Sequence, residues 1–157
     1  MTVLVIGVGH PDRGDDAVGI EVVRRLGPAP GLVARTVTAD PLVLLGDPAW
    51  DEANRVVVVD AAATGAPAGT VRRWVPSRDG DGPRPAHAGS HGFGVGDVLA
   101  LADALDRMPD DLEVVAIQVD DVRLGADLSP AVAAAVDDVV ATLRGMVAEE
   151  VGTRVPR

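Results

Sequence analysis

The sequence contains no cysteine. That excludes disulfides, thiolate metal sites and a cysteine nucleophile together. Aromatic residues make up only 2% and are Trp50, Trp74 and Phe93, so a core must be built from valine, leucine, isoleucine and alanine. Every one of the 14 basic residues is an arginine, and they face 24 acidic residues, for a net charge of −10. That balance argues against nucleic acid or an anionic membrane as a partner. No apolar run approaches the ~20 residues of a membrane span, and no basic leader precedes the first apolar run. The expectation is a cytoplasmic protein. What is abundant is aliphatic: hydrophobic residues are 47% of the 157. A chain of that length buries roughly 70% of its unfolded surface, enough for a core without staples. The expected organisation is one domain over residues 1–150, with 151–157 a frayed tail.

The informative stretch is Val3 to Gly19, VLVIGVGHPDRGDDAVG. A short apolar run, Val3–Ile6, reads as a buried strand. Gly7 and Gly9 permit a tight exit and a close backbone approach. Asp15 reads as the N-cap of a following helix, with Asp16 in its first turn. A strand followed by Gly-x-Gly and a helix suggests a dinucleotide site. Here the third glycine is replaced by Asp12, and Asp12, Asp15 and Asp16 would repel a pyrophosphate. Carboxylates in that position suit a cation. The plainer reading is that both acids only complement the helix dipole.

Strand and helix patterns alternate along the rest of the chain. Helical spacing covers 15–26 and ends at Gly27-Pro28. Leu32–Thr38 reads as a strand, and Pro41 opens a short helix through Leu45. Arg55–Val59 holds four consecutive valines and ends at Asp60. Valine on both faces is the mark of a parallel strand covered on both sides. Ala61–Ala68 reads as a turn and Gly69–Val75 as an edge strand. Pro76–Ser90, with three prolines and three glycines, reads as a long mobile loop beside the site. Val95–Met108 is helical, Leu112–Val119 a strand, and Ser129-Pro130 the start of a last helix. The fold class is therefore α/β. The product is a three-layer α/β/α sandwich on an open, mostly parallel twisted sheet of about five strands.

Sites in such sheets form outside the carboxyl ends of the strands. Asp16 follows the first strand, Asp60 ends the valine strand, and His91 follows the long loop. Two carboxylates and an imidazole from three segments can ligate a divalent cation with positions left open. Each has a bland alternative. Asp60 can form an Asx turn, His91 can be satisfied by backbone, and His87 is either the true ligand or loop surface.

Three motifs in order carry a resemblance. They are Ile6-Gly7-Val8-Gly9-His10 running on to Gly14-Asp15-Asp16 and Gly19, Val58-Val59-Asp60-Ala61, and Ser90-His91-Gly92 before a Leu/Ala helix. Together with Leu128-Ser129-Pro130 they resemble the hydrogenase maturation proteases. These endopeptidases trim the C-terminal extension of the large subunit of nickel–iron hydrogenases. The resemblance implies a phosphorylase/hydrolase-like fold, with Asp16, Asp60 and His91 as the metal-contacting residues. It implies no intrinsic cofactor: the nickel belongs to the substrate, and other divalent cations can occupy the site. The implied partner is the large-subunit precursor, and the protein is expected to act as a monomer.

The sequence departs from the family pattern at three places. His10 stands where the family usually carries Asn. The stretch Thr36–Asp40 lacks the usual acidic residue after the second strand, for which Asp40 is the nearby substitute. Val119-Asp120-Asp121 replaces the usual Pro-Glu. His10, Asp40 and His87 are accordingly accessory candidates. No nucleophile is evident, because Ser90 and His91 are adjacent and lack a third member. The scheme is water attack on the scissile carbonyl, with the substrate's metal as Lewis acid and Asp16 or Asp60 as general base. Which carboxylate is ligand and which is base stays open. The rival reading is a non-catalytic metal-sensing module or chaperone for a hydrogenase subunit.

Overall fold

The computed structural model describes residues 1–79 and 94–152. Five strands form one sheet in the order β2-β1-β3-β5-β4. They are β1 (Val3–Val8), β2 (Leu32–Val37), β3 (Arg55–Ala62), β4 (Val71–Trp74) and β5 (Leu112–Gln118). The first three and β5 run parallel. Only β4 is antiparallel, at the edge beside β5. Its exposed Val71, Arg72 and Arg73 fit that edge position.

The alternation of side chains along β1 explains the layers. Val3 and Val5 face α1 (Val18–Leu26) and α5 (Pro130–Gly152), joining a core with Val22, Leu26, Val136 and Leu143. Leu4, Ile6 and Val8 face the other way, toward Trp50, Leu44 and α4 (Val95–Ala104). The valines of β3 split the same way: Val57 and Val59 on one side, Val56 and Val58 on the other. A central strand with β-branched side chains on both faces needs cover on both. The expected three-layer α/β/α sandwich is the observed fold.

Several boundaries differ from expectation. β1 continues to Val8 and β3 passes through Asp60 to Ala62. Asp60 is therefore inside the ladder, level with Ala116, and not a turn residue. The helix expected from residue 15 begins instead as a 3₁₀ turn, Gly14–Ala17, which hands over to α1 at Val18. The segment after Pro41 is likewise a 3₁₀ helix, Pro41–Gly46. A short helix α2 (Pro48–Glu52) follows, with the Asp47 side chain accepting the Ala49 amide proton. In the sequence, Gly46-Asp47-Pro48 looks like a break. Asp47 is in fact the cap of α2, and Pro48 occupies the first turn, where proline is tolerated. The stretch read as loop from Pro76 opens with one helical turn, α3 (Pro76–Asp79). α4 stops at Ala104, short of Met108, and α5 runs on through Gly152.

Candidate active site

Glycine brings the start of α1 down onto the carboxyl ends of the paired strands β1 and β3. A Cβ on Gly19 would lie 2.4 Å from the Val59 carbonyl oxygen and 2.8 Å from that of Val8. A Cβ on Gly7 would lie 2.1 Å from the Gly19 carbonyl oxygen. No larger residue fits, so the start of α1 rests directly on the two central strands. The 3₁₀ turn that precedes it packs against β3. This turn carries Asp16, and β3 carries Asp60 one residue beyond Val59. In the register, Val59 is level with Gly7 of β1. Asp16 and Asp60 thus belong to neighbouring segments at one end of the sheet.

Both side chains are buried, Asp16 at 0% exposure and Asp60 at 8%. Buried carboxylates are held by hydrogen bonds or ions. The Asp16 Oδ2 accepts the amide proton of His10 at 2.9 Å, which curls the loop 10–16 around it. Asp16 gives its own amide proton to the Arg13 carbonyl at 3.0 Å. The Asp60 Oδ1 accepts the amide proton of Ala61 at 2.8 Å.

The other sequence-derived candidates fall as follows. His10 is exposed, and its main chain contributes to holding Asp16. Asp40 is exposed and caps the 3₁₀ helix after β2, its Oδ1 accepting the Leu42 amide proton at 2.9 Å. His91 and His87 lie outside the described residues, as does most of the Pro76–Ser90 loop. Among the described residues, no group of three or more His, Asp or Glu side chains gathers as a metal site.

Sequence reading missed the role of Asp15. It does not cap a helix: the N-terminus of the 3₁₀ turn has no side-chain cap, and neither does α1. Its carboxylate is fully buried and accepts four hydrogen bonds from across the chain. The donors are the amides of Asp120 at 2.9 Å and Asp121 at 3.0 Å, and the amide and hydroxyl of Ser129 at 2.6 Å and 2.7 Å. The loop between β5 and α5 is thereby fastened to the turn that bears Asp16. Nothing local signals this, because the partners are more than a hundred residues away. Asp121 faces its own side chain elsewhere. Its hydrogen bond to Arg123, and the Arg123 amide, hold its pKa down at about 2. Its charge is thus matched by a guanidinium.

Two buried carboxylates on neighbouring segments at one end of the sheet are groups of the kind that can hold a cation or accept a proton from water. The model of the family described as "Hydrogenase maturation protease" matches residues 42–145, more than half of the chain. That span includes Asp60 and begins after the Asp16 turn. Solved structures resemble the fold over nearly its full length. A nickel–iron hydrogenase maturation protease HybD from Thermococcus kodakarensis is 25% identical, with a TM-score of 0.72, covering 94% of this chain and 99% of the other. The hydrogenase maturating endopeptidase HybD from E. coli is 20% identical with a TM-score of 0.72, over 96% and 94% of the two chains. An endopeptidase from Escherichia coli reaches a TM-score of 0.77 at 21% identity, over 96% and 94%. No curated protein sequence matches the chain. With the family match over residues 42–145 and a mostly parallel sheet whose first helix is packed on it through glycine, the chain belongs to the hydrogenase maturation proteases.

Proposed function

We propose that this protein removes the C-terminal extension of a nickel-loaded precursor of a nickel–iron hydrogenase large subunit. The observation that carries the reading is the pair of buried carboxylates, Asp16 and Asp60, at one end of adjacent central segments. In this reading they meet the nickel that the substrate brings, and His91 is the third contact. An imidazole with two carboxylates suits a borderline divalent ion, and the absence of thiolates keeps such a site weak toward free metal. That weakness matches a protease that tests its substrate for metal and holds none of its own. One carboxylate, freed from the metal, takes a proton from the attacking water. The enzyme works as a cytoplasmic monomer with one domain over 1–150.

The test is incubation with nickel-loaded and metal-free precursor, followed by mass measurement of the released peptide. Cleavage only of the loaded precursor, lost in Asp16→Asn and Asp60→Asn, is the expected result. Equal cleavage of both precursors would remove nickel from the reading. Full activity in either variant would remove that residue from the site.

A further inference from the structure

We infer that Asp15 is a positioning residue for Asp16, an inference that rests on Asp16 belonging to the cleavage site. Asp15 and Asp16 are consecutive, yet their side chains go to different places. The Asp15 carboxylate is taken up entirely by the distant loop: both oxygens receive Ser129, and Oδ2 also receives Asp120 and Asp121. Three of these four donors are main-chain amides, which can only donate.

The main chain adds to the same anchor. The Asp15 amide donates to the Asp121 carbonyl at 2.8 Å, and the Gly125 amide donates to the Asp12 carbonyl at 2.8 Å. Gly14 has φ +52°, and a Cβ there would lie 2.3 Å from the Asp121 carbonyl oxygen. The turn and the loop are therefore in backbone contact. Asp16 is also pressed against the residue that follows β1: a Cβ on Gly9 would lie 2.0 Å from the Asp16 carbonyl oxygen.

Asp16 is thus clamped between the exit of β1 and the anchor at residue 15. The turn that carries both is a single four-residue 3₁₀ segment, whose own hydrogen bonding is poor. It cannot fix a side chain to a fraction of an ångström by itself. The buried anchor one residue away supplies that constraint, since neighbouring Cα atoms are held about 3.8 Å apart. A capping role would explain an exposed acid at a helix start. It does not explain a fully buried one bonded to residues 120, 121 and 129.

The experiment compares Asp15→Asn, Ser129→Ala and Asp16→Asn with the parent, using nickel-loaded precursor at a temperature where circular dichroism shows equal folded fractions. Asp15→Asn keeps the shape but turns an NH₂ toward amide donors. The expected result is a kcat lowered about tenfold or more with KM changed by less than about twofold, because displaced reacting groups cost rate before they cost binding. Ser129→Ala removes one bond of four and should shift kcat the same way by less. A folded Asp15→Asn with parental kcat, or one whose only change is in KM, overturns the inference while leaving Asp16 in place. If Asp15→Asn does not fold, parental kcat in Ser129→Ala overturns it. Parental cleavage by Asp16→Asn overturns the site reading, and this inference with it.

Discussion

Ser129 donates both its amide and its hydroxyl to the carboxylate of Asp15, at 2.6 Å and 2.7 Å, across 114 residues of sequence. The pair joins the first crossover of the sheet to the start of the last helix. Ser129→Ala should destabilise the fold by about 1.5–3 kcal/mol, the value of one hydrogen bond to a charged group. Asp15→Ala should cost more, about 3 kcal/mol or above, since it leaves buried amide donors without an acceptor. Urea unfolding of the two variants checks the order. A cost for Asp15→Ala no larger than for Ser129→Ala would show that solvent replaces the carboxylate.

Gly7 and Gly19 make a second close approach, this time of backbone to backbone. The groups a Cβ would strike are carbonyl oxygens of Val8, Val59 and Gly19, which cannot swing away as a side chain can. Gly19→Ala should therefore lower stability by at least ~1–3 kcal/mol, as overpacking does. For a chain of this size that is roughly a 2–12 °C fall in Tm. Gly145 lies in α5 with nothing within 4 Å of its Cβ position and serves as the control. Gly145→Ala should stabilise by up to about 1 kcal/mol through helix propensity.

The layers of this fold are legible in the sequence because they follow from local pattern. Four valines in a row require cover on both faces, and the glycines of the first motif require a close approach. Asp60 stands out in the sequence for a related reason, as a carboxylate at the end of an apolar run, and Asp16 as an acid closing a glycine-bounded turn; the structure buries both. Strand ends were less legible. Ala61 and Ala62 look like turn residues, yet they continue the ladder opposite Ile117 and Gln118. What pairs them is β5, fifty residues on, which local composition does not reveal. Asp15 was misread for the same reason. An acid before a helix looks like a cap, and the donors that claim it come from 120–129. Glu113, a glutamate inside an apolar strand, has no local explanation in the sequence.

That explanation is Arg73. Glu113 is buried at 6% exposure in β5, and Arg73 on the neighbouring β4 reaches it with both Nε and Nη2. The hydrogen bond to Glu113 holds the Arg73 pKa above its ordinary value. Removing the arginine alone leaves a carboxylate in the sheet without its counter-charge. Arg73→Ala should cost about 2–4 kcal/mol, near the low end for breaking a buried pair because Arg73 is half exposed. The double replacement Arg73→Met with Glu113→Leu should recover most of that loss, since apolar pairs of similar volume often equal a buried ion pair. A double-mutant cycle measures it. A double variant no more stable than Arg73→Ala would show that Glu113 has another role.

The last prediction concerns pH. Glu21 on α1 accepts from Arg24 at 2.9 Å and 2.5 Å and from Arg25 at 2.9 Å. Arg25 also reaches Asp137 on α5 at 2.6 Å, and Arg144 of α5 donates to the Arg25 carbonyl at 2.8 Å. The network therefore ties the two helices that cover one face of the sheet. The hydrogen bond from Arg24 is the largest cause that lowers the Glu21 pKa from 4.5 to about 2, with Arg25 adding to it against the cost of burial. A carboxyl with a folded pKa below its unfolded value contributes stability above the unfolded value. That contribution is lost as pH falls through the folded value. Its window here runs from about pH 4.5 down to about pH 2. Most of the network is exposed, so solvent and salt screen it and the effect should be modest. Glu21→Gln should therefore be less stable than the parent at pH 6. The gap should narrow as the pH is lowered from about 4.5 toward 2, and should shrink in high salt at pH 6. Thermal unfolding of both proteins across that range reads the difference directly. A gap that stays constant between pH 6 and pH 2 would assign the loss to packing of the Glu21 side chain, with no share for its charge.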